Sequence, residues 1–243
     1  RGVPTATSDA QRLLLFMPRP LPFRQQADAN MPNISARMSF DLPLPPAPTE
    51  PTRNLVIVSD SSLELPGVIY GLQREAARIE TPPVRLLWIA VCPGAGAAKL
   101  AQAWTQAPQC HYGLTVVNMN DCLKGSVYDF TEENRVDLRT LIRQAKGVCT
   151  ERSDLFINHS AFYPKLDPEY AKLVPLYTQA AKDAGAEVHD GAESVGSIKL
   201  RDTMHCAKES TPEVVQMCMT AVHSMLGVPP PRDADAEAAD DPM

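Results

Sequence analysis

The stretch NLVIVSDSSLELPG, residues 54–67, carries a short apolar, β-branched run directly into Ser59, Asp60, Ser61 and Ser62, and then into a helix-like sequence. A run of that length and composition fits a strand covered on both faces, as in a parallel sheet. The residues after it, PGVIYGLQREAARIE, place Val68, Ile69, Leu72, Ala76 and Ile79 at helical spacing. The same alternation repeats along the chain. Strands are expected at 84–91, 113–119, 154–160 and 186–190, with helices in GAAKLAQAWTQA, TEENRVDLRTLIRQAKGV, DPEYAKLVPLYTQAAKDAG and TPEVVQMCMTAVHSMLG. In the third of these, Leu173, Tyr177, Ala180 and Ala184 share a face and Pro175 predicts a kink. Apolar strands alternating with helices predict a three-layer αβα sandwich around a parallel five-stranded sheet.

Composition bounds what such a domain does. Of 243 residues 44% are hydrophobic, enough for one full core. The net charge is −6, but the segment RDADAEAADDPM supplies −4 of it, from five acids against Arg232. The remainder is near neutral, which argues against a nucleic-acid surface or attraction to an anionic membrane. No apolar run approaches the roughly 20 residues of a membrane span, so a soluble protein is expected. None of the six cysteines forms a C-x-x-C pair, and the reading is of free thiols in a reducing compartment. The chain begins with Arg, which a cleaved organelle-targeting segment explains as well as a fragment boundary does.

Three parts are expected: an extended arm over 1–52, an α/β domain over 53–228 and an acidic, disordered tail over 229–243. The arm holds ten of the 23 prolines and shows no sustained period. Its apolar residues, among them Leu13, Leu14, Phe16, Phe23, Phe40 and Leu42, are too many for a solvated linker. They suit an arm packed on its own domain or one wrapped around a protein partner.

Parallel sheets hold ligands at the carboxyl ends of their strands, so chemistry is expected just after residues 59, 91, 119, 160 and 190. Ser61 stands where a tight strand-to-helix turn would expose a nucleophilic hydroxyl; taken alone, Asp60 and its serines read better as a helix cap. In CPGAGAAKL, Gly94 and Gly96 allow backbone N–H groups to approach a bound oxygen, or simply make a turn. A dinucleotide loop fits poorly, because the glycines follow the second strand and no acid ends the third. Asn118, Asn120 and Asp121 offer an amide for an oxyanion, or an Asx turn. Asp202 and His205, three apart and ahead of the last helix, have the spacing of a carboxylate that orients a general base. His159 and His189 would line the cleft, whereas His111 and His223 read as surface residues. No tight His or Cys pair suggests a metal.

In this order the four blocks resemble the SGNH, or GDSL, hydrolase superfamily of esterases, lipases and carbohydrate deacetylases, over residues 54–227. The resemblance implies a flavodoxin-like fold. It also implies Ser61 as nucleophile in SDSS, His205 with Asp202 as base in DTMH, and Gly94 and Asn120 in the oxyanion hole. Gly94 is taken over Gly96 on its distance to Leu100. No cofactor is implied, and the substrate would be a small acyl ester admitted between the segments 122–134 and 161–170. Two positions depart from the family: Ser59 stands where it has Gly before the Asp, and Asn118 where it has Gly before the Asn. A degenerate domain that serves as a subunit of a larger complex, docked through residues 1–52, is the alternative those departures raise.

Overall fold

A computed structural model of the protein describes residues 36–39, 51–124, 127–157, 172–190, 199 and 206–229, with the side chains of 36–39, 66, 123, 124 and 127 left aside. In chain order the elements are β1 Ala36–Ser39, β2 Arg53–Ser59, α1 Pro66–Ala76, β3 Val84–Val91, α2 Ala97–Trp104, β4 Cys110–Val117, β5 Leu123–Lys124 and β6 Val127–Tyr128. They continue with α3 Glu132–Val148, β7 Cys149–Ile157, α4 Leu173–Asp183, β8 Glu187–Asp190 and α5 Thr211–Leu226.

Five strands form the expected parallel sheet, in the order β3-β2-β4-β7-β8, with helices packed against it. The first of these five by sequence, β2, thus lies between β3 and β4, so the carboxyl ends of β2, β3 and β4 are neighbours. At the outer edge, β1 of the arm pairs antiparallel with β3, Ala36 opposite Val91 and Ser39 opposite Trp88. That pairing gives partners to backbone groups that an edge strand would leave open. The short strands β5 and β6 make a separate hairpin within 122–134.

The strands are apolar because both faces are covered. Leu55, Val56, Ile57 and Val58 are buried in β2, as are Ile89, Ala90 and Val91 in β3. Helix α1 packs on α5, α2 on α3 and α3 on α4. The predicted stripe of α1 is the buried one, from Val68 through Leu72 to Ala76. Truncating Leu72 in such a core costs about 2–5 kcal/mol. Trp104 on α2 closes against the sheet, its Nε1–H donating to Thr115 Oγ1 at 2.9 Å. Helix α3 begins with a capping box between Thr131 and Asn134. Helix α5 ends at Gly227 in the left-handed region, φ +69°.

Several expectations change. Pro175 falls in the first turn of α4 as described, and the part of the expected helix before it, 167–171, lies outside the described residues. Strand β7 starts at Cys149, five residues ahead of the predicted start, since its amino end is polar and half-exposed and lacks the apolar signal. His223 is buried on α5, not at the surface, because that helix is covered around most of its circumference. Burial holds its pKa below the ordinary value, against a backbone hydrogen bond with Pro229 that raises it. His111 is only half exposed, and its Nδ1 accepts the Asn54 N–H at 2.9 Å. No described helix is long and apolar enough to cross a membrane.

Candidate active site

Strand β2 delivers Asp60 and Ser61 at its carboxyl end because two backbone contacts continue the sheet beyond it and a third closes the neighbouring turn. Cys92 N–H donates to Ser59 O at 2.7 Å, Asp60 N–H donates to Val116 O at 3.3 Å, and Ala95 N–H closes the next turn onto Cys92 O at 3.1 Å. The chain then tightens into a single 3₁₀ turn, Ser61–Leu63, before α1 begins. Asp60 is the cap of that turn, accepting from Ser62 N–H at 2.9 Å and from Ser62 Oγ–H at 2.5 Å. The cap and the site position are therefore the same feature. Asp60 holds the turn by way of Ser62, and Ser61 stands first in it with 6% of its surface exposed.

The Asp60 carboxylate is fully buried, and its described partners are neutral donors. Besides Ser62 these are the Asn118 backbone N–H and Asn120 Nδ2–H, the latter at 3.4 Å. Burial pushes the pKa of Asp60 up to about 6, against the hydrogen bonds from Ser62 and Asn118, and the nearby charge of Asp121 adds to the rise. The same burial, with the charge of Asp60 beside it, pushes the Cys92 thiol up to about 12.

After β3 the two glycines have different duties. Gly94 has φ +66° with open space where a Cβ would be, so its requirement is conformational. Gly96 is extended, but a Cβ there would lie 2.4 Å from Asp121 Cβ, so its requirement is close approach. That approach lets Ala97 N–H, at the start of α2, donate to Asp121 Oδ2 at 3.3 Å. Asp121 Oδ1 is buried without a partner among the described residues, and burial raises the pKa of the group.

After β4 comes Met119, a buried non-glycine residue at φ +44°. A left-handed methionine costs free energy, on the order of 1–3 kcal/mol, and persists only where the surroundings impose it. It turns the chain so that Asn120 faces back across the strand ends, with Nδ2 donating to Ala95 O at 3.3 Å and to Asp60 Oδ2 at 3.4 Å. Asn120 thus bridges the turns after β2 and β3.

Ser61, Gly94 and Asn120 accordingly occupy the ends of three adjacent strands, as the sequence order implies. Asp202 and His205 lie outside the described residues, as do His159 and the segment 161–170. On either side of 200–205 the chain is anchored: Ala207 N–H donates to Lys199 O at 2.8 Å, and Lys199 N–H to Ser210 Oγ at 2.7 Å. His189 is committed elsewhere than the cleft, its Nε2 donating to the buried Asp154 carboxylate at 2.6 Å. Ser59 is wholly buried, and its Oγ finds no partner among the described residues. Sequence reasoning missed Asn134, whose Nδ2 donates to Asp121 O at 3.1 Å and ties α3 to the site. The signal was the Thr131-x-x-Asn134 pattern, a capping box with Asn in the place of Glu or Gln.

A doubly covered parallel sheet, with its polar residues gathered where the first strand lies between its two neighbours, defines a flavodoxin-like α/β protein. No family model and no curated protein sequence matches the chain. Solved structures do. The inhibitor-bound aryl esterase of M. smegmatis aligns at TM-score 0.54 and 10% identity, over 71% of this chain and 99% of that one. Est24, a carbohydrate acetylesterase from Sinorhizobium meliloti, aligns at 0.52 and 14%, over 71% and 99%. A lipolytic G-D-S-L family protein from Desulfitobacterium hafniense aligns at 0.50 and 12%, over 69% and 98%. The chain thus has the fold that these structures share.

Proposed function

We propose that this chain is a serine hydrolase of SGNH type acting on a small acyl ester. The observation that carries the reading is the convergence of Ser61, the Gly94 turn and Asn120 on one point of the sheet, joined through Asp60 and Ala95. In the mechanism that follows, His205, oriented by Asp202, takes the Ser61 proton and the hydroxyl attacks the ester carbonyl. The N–H groups of Ser61 and Gly94 and the Asn120 amide receive the oxyanion, and water then releases the acyl group. Both Asn120 donations are long, so releasing one of them to a developing oxyanion costs little. An aryl esterase and a carbohydrate acetylesterase are among the similar structures, which makes short esters the substrates to try.

The test is labelling by a fluorophosphonate together with hydrolysis of p-nitrophenyl acetate. The wild type is expected to label on Ser61 and turn over; Ser61→Ala is expected to lose both while keeping its melting temperature. A second reading, a degenerate domain docked to a partner through residues 1–52, draws on the buried Ser59 hydroxyl, which has no partner among the described residues, and on Asn118 at the other family glycine position. It is favoured if the folded wild type neither labels nor turns over and deletion of residues 1–50 abolishes assembly with a partner.

A further inference from the structure

At the other end of the sheet, Cys110 opens β4 and Cys149 opens β7, and the two are register partners in a parallel pair. Their Sγ atoms are 3.6 Å apart. Neighbouring strands run about 4.8 Å apart, within the roughly 4.4–6.8 Å between Cα atoms that a disulfide spans. Side-chain rotation alone therefore brings the sulfurs to bonding distance. Room for the second sulfur comes from Gly113, where an added Cβ would lie 2.4 Å from Cys149 Sγ and 2.7 Å from Trp104 Cη2.

The two thiols differ in access. Cys110 is buried, whereas Cys149 is half-buried and lines a cavity of about 420 Å³. Lys146, Arg152, Glu151, Asp154 and Glu187 line that cavity; Arg152 is paired with Asp154 and Glu151 with Arg53, whereas Lys146, bonded among the described residues only to the Gly185 carbonyl, keeps ammonium protons for a ligand carboxylate. The remaining thiols are buried, and burial pushes Cys92 and Cys218 up to about 12. The hydrogen bond within the pair lowers Cys110 and raises Cys149, so the pair gives up one proton more readily than two.

We propose that Cys110 and Cys149 form a reversible dithiol–disulfide site, oxidised by a glutathione-type disulfide that enters the cavity beside Cys149. The singly deprotonated pair shares its remaining proton across the Cys110–Cys149 contact; with that proton on Cys110, the more accessible Cys149 thiolate attacks one sulfur of oxidised glutathione, forming a mixed disulfide and releasing glutathione thiolate. Cys110 then attacks the Cys149 sulfur, the Cys110–Cys149 bond forms and a second glutathione leaves. The two thiol protons go to the two glutathione thiolates, and one disulfide has replaced another.

The experiment equilibrates the full chain in glutathione buffers of increasing oxidised fraction, followed by alkylation and peptide mapping. The oxidised protein is expected to lose the mass of two hydrogen atoms. Its tryptic peptide 100–124, with Cys122 alkylated, is expected joined to peptide 147–152. Reduced glutathione should reverse the link, and closing it should raise the melting temperature by roughly 5–10 °C. Cys110→Ser should hold a lasting glutathione adduct on Cys149, and Cys149→Ser should leave Cys110 unmodified. Lys146→Gln should slow oxidation by glutathione several-fold relative to bis(2-hydroxyethyl) disulfide, which carries no charge. The site is overturned if no linked peptide forms at full oxidation, or if the wild type retains the adduct as Cys110→Ser does. Equal rates with the charged and uncharged oxidants in the wild type would overturn the cavity's part in recognition.

Discussion

Replacing Asp60 with asparagine removes a fully buried carboxylate whose described partners are all neutral, and the structure sets the size and sign of the effect. Its pKa stands at about 6 in the folded protein against 3.8 for the free side chain. The native state thus binds this proton more tightly than the unfolded chain does. The resulting stability is fully present below about pH 4 and is lost as pH rises through 6. A rise of about two pH units at ~1.36 kcal/mol each gives a loss of roughly 3 kcal/mol between pH 4 and pH 7. The asparagine amide does not titrate, so urea unfolding from pH 4 to pH 7.5 should show the wild type losing about 3 kcal/mol more than Asp60→Asn across that range. Any other group that titrates there cancels in the difference between the two proteins. Curves that stay parallel within about 0.5 kcal/mol would refute the argument, since Asp60 would then keep its ordinary pKa through solvent or a cationic partner.

Gly96→Ala should cost about 1–3 kcal/mol in chemical denaturation, because the new methyl meets Asp121 Cβ at 2.4 Å and its Cα at 3.3 Å, so backbone must move. An unchanged midpoint would mean that the turn after β3 yields freely. Ser59→Ala should stabilise the protein by about 1 kcal/mol in thermal melts, since it removes a buried hydroxyl without a described partner. A drop in stability instead would reveal a partner for that oxygen.

Much of the frame is legible because burial on both faces writes continuous apolar strands. Val84–Val91 is found where the sequence predicts it, and β2 within one residue of its expected start. The failures have the same physical origin. The amino end of β7 pairs through its backbone while its side chains stay polar, so no pattern announces it. His223 looks like a surface residue because it adjoins the narrow exposed stripe of Pro212, Gln216, Thr220 and Ser224, while the rest of α5 is covered. Ser61, Gly94 and Asn120 could be named from strand ends, since a parallel sheet gathers such ends on one side.

By itself the sequence determined the αβα layering and the side of the sheet on which to look, because hydrophobic periodicity is a local property of the chain. Only the tertiary structure decided which strand ends are neighbours. It was the order β3-β2-β4 that placed Asn120 against Asp60 and Ala95, and packing that pressed Gly96 onto Asp121. The same holds for Cys110 and Cys149. Nothing local links residues separated by a helix and a hairpin, and their sulfurs meet because β4 and β7 pair in the register they do.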